Sequence, residues 1–195
     1  MEKDRDFLIS RINVSISKLT GLDYDKAVDF ASHVRNLKRT GNKIIFIGNG
    51  ASNTIANHAS LDYMSQTGVQ TLSVNDPAIL TAFSNDFGYE GALKRYCQMM
   101  FNPGDMLVAI SSSGNSPNVV NAAEYAKGLG NVVAFTGFDK KNALNDIADQ
   151  SFWVDSDLYN VVESIHNLWL AMVCDLLASW MGDKVGTHGI EFNES

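Results

Sequence analysis

Asp105-Met-Leu-Val-Ala-Ile110 runs straight into Ser111-Ser112-Ser113-Gly114-Asn115-Ser116 and then Pro117. The first six residues read as a strand, apolar throughout after Asp105, the kind that lies parallel to its neighbours and buried on both faces. Pro117 suits the first turn of a helix, where its missing N–H leaves nothing unpaired. Between strand and helix, four hydroxyls surround a glycine. A helix N-terminus offers free N–H groups and partial positive charge. Small hydroxyl side chains add donors without blocking close approach, and Gly114 lets the backbone bend. Such a loop holds a phosphate without lysines, so Ser111, Ser112, Ser113 and Ser116 are the candidate phosphate ligands. The plainer alternative is a Ser-rich turn that only caps its helix.

The same grammar recurs on either side. Lys43–Ile47, Gln70–Val74, Asn131–Thr136 and Ser151–Val154 read as further strands. Helical spacing covers Asn53–Gln66, Ala78–Phe83, Gly91–Met100, Pro117–Gly128 and Val161–Trp180. Alternating strands and helices imply right-handed βαβ units. The expected fold is therefore α/β: a three-layer αβα arrangement around a five-stranded parallel sheet, Rossmann-like in plan. Two amphipathic helices precede it, one over residues 4–19 with Phe7, Leu8, Ile12, Ile16 and Leu19 at helical spacing, the other over Leu22–Lys38. The second buries Ala27, Val28, Phe30, Ala31, Val34 and Leu37. The chain reads as a single domain over 1–195, with a helical pair at about 3–39, a sheet core at about 43–181 and a tail at about 182–195.

Composition narrows the function. Charged residues make up 19% and the net charge is -7, which argues for a soluble globular protein and against a nucleic-acid partner. Cys97 and Cys174 have no CxxC spacing and read as small buried core residues, which fits a reducing cytoplasm. The N-terminus is charged at once, and no stretch approaches the roughly 20 apolar residues of a membrane span, so no membrane association is expected.

A second strand end carries Ile47-Gly48-Asn49-Gly50-Ala51-Ser52-Asn53. No Lys-Ser/Thr pair follows, and positions 48, 50 and 53 do not make GxGxxG, so no nucleotide cofactor is expected. Taken with Ser84-Asn85-Asp86-Phe87-Gly88 and the serine loop, this order of motifs resembles the sugar isomerase (SIS) domain, and within it the bacterial phosphoheptose isomerases. The resemblance runs from the N-terminal helix pair to about residue 180. It implies a sedoheptulose 7-phosphate isomerase acting in heptose and surface-polysaccharide synthesis, a phosphorylated sugar as ligand, a homotetramer and zinc. It further implies that Asn49, Gly50, Ala51, Ser52, Asn85 and Asp86 contact the sugar and that Ser111–Ser113 with Ser116 hold its phosphate. His58, Asp62 and Glu163 fall at metal-ligand or catalytic positions. Asp62 stands where the family has Glu, Glu163 where it has Gln, and Ala171 where it has its catalytic His.

Aldose–ketose isomerisation moves a proton between adjacent carbons and needs a positioned acid/base group. His58 and Asp62 share a helix face at i, i+4, and Glu163 and His166 share one at i, i+3. Two such faces meeting in one cleft would bring two carboxylates and two imidazoles together, with Asp62, Glu163 and His166 as the catalytic candidates and His166 standing in for the missing His. The loss at Ala171 equally fits a second class: a non-catalytic SIS regulator that binds sugar phosphates, similar to a relative that associates with the replication initiator. His33 and His188 carry no signal. Trp169, Trp180, Tyr159 and Phe152 read as core or subunit interface. The amphipathic N-terminal helix, and the late helix with Trp169, Leu170, Met172 and Val173, offer apolar faces for assembly.

Overall fold

The apolar runs become strands β1 (Lys43–Gly48), β2 (Gln70–Ser73), β3 (Met106–Ser111), β4 (Asn131–Thr136) and β5 (Gln150–Trp153). They form one all-parallel sheet in the order β2-β1-β3-β4-β5. This is a computed structural model, and it describes residues 2–181. The expected tail and His188 lie outside the described residues.

Alternation along each strand divides the core in two. Ile44 and Phe46, Met106, Val108 and Ile110, and Val133 and Phe135 point to one face. Ile45 and Ile47, Leu107 and Ala109, and Val132 and Ala134 point to the other. The first face is covered by helices α2 (Tyr24–Thr40), α3 (Ala51–Asp62) and α8 (Tyr159–Trp180). The second is covered by α5 (Tyr89–Met100), α6 (Pro117–Lys127) and the short α7 (Ala143–Ile147), with α4 (Pro77–Phe87) packed on α5. These are the three layers of the expected αβα fold.

Local chemistry sets the helix ends. Asp23 caps α2 by accepting from the Lys26 N–H at 3.1 Å, and Gly41 closes it at φ 76°. Asp76 caps α4 ahead of Pro77. The α3 pattern, read to Gln66, leaves α-geometry at Asp62 and continues as one π-helical turn, Tyr63–Thr67. Tyr63 there donates its hydroxyl to the Leu170 carbonyl at 3.0 Å, tying the turn to α8. The α4 pattern, read to Phe83, runs on through Ser84-Asn85-Asp86-Phe87, so most of that motif is helical. Helix α7 went unread because five residues are too few to show a period.

The stripe of α1 (Glu2–Leu19) faces outward, in keeping with an apolar face left open on that helix: Phe7 is 55% and Ile12 58% exposed, while Val14 and Leu19 join the core. Two expectations change. Val28 is exposed, unlike its neighbours on α2. Trp169, Leu170 and Val173 are buried in the chain's own core, where the Trp169 indole donates to the Leu19 carbonyl at 3.0 Å, leaving Leu168 and Met172 as the exposed apolar positions of α8. Helix α8, 22 residues long, is also long and apolar enough to cross a membrane, with a mean hydropathy of 1.4 over its most apolar 18 residues. Its packing against α2, α3 and the sheet accounts for that composition as a core helix. Burial pushes both cysteine thiols up to about 12, which suits inert core residues.

Candidate active site

Strands β1 and β3 are neighbours, but the chain leaves β1 toward β2 and leaves β3 toward β4. The crevice outside their carboxyl ends is the switch point where open α/β sheets bind ligands. The Gly48-Asn49-Gly50 turn and the serine loop are its two sides. Gly48 is required by contact: a Cβ there would lie 2.6 Å from the Ser52 carbonyl carbon. That close approach places Ser52, on the first turn of α3, in the crevice.

The serine loop turns at Gly114, φ 66°, where a Cβ would lie 2.1 Å from Asn142 Oδ1. Its carbonyls are taken up by hydrogen bonds. Ser111 O accepts from Gly114 N at 2.9 Å, Ser112 O from Gly137 N at 2.9 Å and Gly114 O from Leu144 N at 3.0 Å. Ser113 O accepts from Asn115 Nδ2 at 3.1 Å, and Ser116 O accepts from Val119 and Val120 at the start of α6. The hydroxyls are less committed. Ser111 Oγ and Ser116 Oγ lie 3.2 Å apart, and the Ser116 side chain is not spent on capping its own helix. The Ser112 hydroxyl is buried and meets no hydrogen-bond partner among the described residues.

These groups line a cleft of about 210 Å³ together with Asn49, Ser52, Ile110, Tyr159 and Glu163. No Lys or Arg is among them. Burial raises the Glu163 carboxyl above its ordinary range, which suits a group that must both take and give a proton. Asn49 is held from two sides. It exchanges bonds with Asn118 at 2.9 and 2.8 Å, and its Oδ1 also accepts from the Tyr89 hydroxyl at 2.9 Å. One Asn49 N–H is left over, on a residue that lines the cleft.

The structure therefore brings Asn49, Ser52, Ser111, Ser112, Ser113, Ser116 and Glu163 together. Gly50 and Ala51 flank the cleft at the start of α3. Asn85 and Asp86 do not line it: both are exposed and bond to each other at 2.9 Å. His166 does not reach it either. Its ring is fully buried against Phe135, with Nε2 2.9 Å from the Thr136 carbonyl, and burial drops its pKa to about 4. On α8 a step of three residues turns the side chain about 60° back, enough to aim His166 at the sheet while Glu163 faces the cleft.

His58 and Asp62 sit further down the α3–α8 seam, the first about 9 Å along the axis from Ser52. His58 Nε2 is 3.2 Å from Asp62 Oδ2, and Nδ1 is 3.3 Å from Asn167 Oδ1. Ala171 and Leu170 complete this narrow groove. Asp62 is thus paired with His58 rather than with Glu163. For zinc, the expected trio of His58, Asp62 and Glu163 does not assemble, since Glu163 belongs to the serine cleft. Among the described residues no three His, Cys, Asp or Glu side chains gather as a metal-ligand set, and two donors fall short of the three that even an open zinc site uses. Tyr159, read as core or interface, is instead a wall of the cleft; its place one turn before Glu163 was the available signal.

The SIS domain model matches residues 11–137. A probable phosphoheptose isomerase from Thermoplasma acidophilum is 32% identical over 176 residues, 86% of this chain and 91% of that protein. The phosphoheptose isomerase of Nitratidesulfovibrio vulgaris strain Miyazaki F is 39% identical over 168 residues, 83% and 80% of the two chains. The structure of the phosphoheptose isomerase from Neisseria gonorrhoeae superposes with a TM-score of 0.83 at 25% identity, covering 90% of this chain and 98% of that one. On the family match and on relatives this similar over this much of their length, the chain belongs to the phosphoheptose isomerase family of SIS-domain proteins.

Proposed function

We propose that this chain is a sugar-phosphate aldose–ketose isomerase, with sedoheptulose 7-phosphate as the first substrate to test, acting in the cytoplasm in heptose synthesis for surface polysaccharide. The observation that carries the proposal is the unpartnered, buried Ser112 hydroxyl, ringed by Ser111, Ser113 and Ser116, in the same cleft as Glu163. The hydroxyls and the α6 N-terminus hold the phosphate. Glu163 takes a proton from C1 of the ketose and returns it to C2 through the enediol, while the O1 hydroxyl proton passes to O2 by way of the Ser52 hydroxyl, which gives one proton and takes the other. The free Asn49 N–H and the Ser52 hydroxyl donate to the sugar oxygens where charge develops.

A coupled assay with sedoheptulose 7-phosphate, with and without zinc, tests this. Turnover that disappears in Glu163→Gln while sugar-phosphate binding persists is expected. Ala171 favours the second reading, a sugar-phosphate-binding regulator; binding without turnover of any ketose phosphate would establish it instead. The outward apolar residues of α1, with Leu168 and Met172, support a homotetramer, and a monomer mass by light scattering would oppose it.

A further inference from the structure

Tyr159 is the first residue of α8 and has a hollow on each side. On one side is the serine cleft, with Glu163 one helical turn further on. On the other is a larger hollow of about 470 Å³ beneath α1, lined by Phe7, Arg11, Ser15, Asn160 and Ser164 among others. Tyr159 lines both, so it lies at their boundary.

The ring is braced. It packs edge-to-face on Phe138, with centroids 4.8 Å apart and planes at 79°. Phe138 has φ 54°, the one non-glycine residue with positive φ among the described residues. A bulky side chain in that region persists only where its surroundings enforce it, and such positions cluster at ligand sites. Here the backbone is held at both ends: Phe138 N donates to Ser156 O at 2.8 Å, and its carbonyl accepts from the Trp153 indole at 3.2 Å. The residue before it, Gly137, supports the Ser112 carbonyl. One turn after β4 therefore fixes both the phosphate loop and the backing of Tyr159. The Tyr159 hydroxyl makes no hydrogen bond to the described residues, so the ring is what the brace positions.

We infer that Tyr159 is a specificity-determining wall: its ring closes the cleft to phosphorylated sugars larger than a single open-chain unit, and its removal joins the two hollows. Polar groups of Arg11, Ser15, Asn160 and Ser164 would then meet the extra hydroxyls. This rests on the reading of the serine cleft as a sugar-phosphate site.

Calorimetric titration of the full chain with sedoheptulose 7-phosphate, fructose 6-phosphate and trehalose 6-phosphate tests it in wild type, Tyr159→Phe and Tyr159→Ala. Wild type and Tyr159→Phe should bind the disaccharide phosphate at least ~10-fold more weakly than the monosaccharides, and Tyr159→Ala should bring it to within a few-fold. Equal discrimination in Tyr159→Ala, with monosaccharide binding retained, overturns the wall alone, as does a wild type that already accepts trehalose 6-phosphate. Failure of wild type to bind any of the three overturns the sugar-phosphate reading and the wall with it.

Discussion

His166 should make the protein acid-sensitive in a window that its carboxylates do not explain. Its ring is fully buried, Nε2–H donates to the Thr136 carbonyl, and Nδ1 has no partner among the described residues. Burial takes its pKa from 6.5 to about 4, so the folded state binds fewer protons than the unfolded chain between those values. Stability contributed by the neutral ring is thus complete above pH 6.5 and is lost as pH falls toward 4. Linkage gives a loss of about 2 kcal/mol between pH 8 and pH 5, and about 3 kcal/mol by pH 4. Asp105 acts lower. Desolvation opposes its charge, but bonds from the Lys43 side chain, the Asn102 and Lys43 N–H groups and Asn42 outweigh that and lower its pKa, so its contribution fades only below the ordinary carboxylate value. Glu163 and Asp175, raised by burial, shift stability the opposite way. The histidine is isolated by comparison with His166→Gln, whose amide can still donate to Thr136 but does not titrate. Urea unfolding at pH 8, 6 and 5, at one protein concentration, should show the wild type losing about 2 kcal/mol more than the variant by pH 5. Parallel losses in the two proteins would refute the argument.

Gly114→Ala should abolish sugar-phosphate binding, because its Cβ would collide with Asn142 Oδ1 in a backbone region that costs Ala about 1 kcal/mol; adding Asn142→Ala should restore part of the binding measured by calorimetry. Ser112→Ala should leave unfolding free energy unchanged or slightly higher, since it removes an unpartnered hydroxyl, while weakening phosphate-ligand affinity by about 1–2 kcal/mol. Tyr89→Phe should lose about 1 kcal/mol of ligand affinity by freeing the Asn49 amide, seen as a raised KM with kcat less affected. Dialysis against a chelator should leave turnover unchanged, because His58 and Asp62 are two donors without a third; recovery of lost activity on adding zinc would contradict this.

Much of this was visible in the residues, for identifiable reasons. Strands such as Met106–Ser111 and Asn131–Thr136 are buried on both faces, so their composition alone marks them. The serine loop is local: its glycine, hydroxyls and following proline all act within seven residues. What was not visible depends on rotation and on neighbours. His166 and Glu163 are three apart on α8, and spacing cannot say which faces the sheet until α3 and α8 are packed. Tyr159 looked like core because its ring is large, yet only the turn at Phe138 decides where that ring stands. The α1 stripe is amphipathic as read, but most of its apolar side stays exposed among the described residues.

The paired carbonyls of the serine loop have a consequence for ion selection. Backbone dipoles have two ends, and here the negative ends of Ser111 through Gly114, and of Ser116, are consumed in hydrogen bonds within the protein. Its concave side can then favour an anion with no formal positive charge in the cleft lining. Attraction of that kind acts over hydrogen-bond distances and is little screened by dissolved ions. Affinity for a sugar phosphate should accordingly change little between dilute buffer and 0.5 M salt, in contrast to a site built on lysines, where screening weakens the grip as the ionic strength rises.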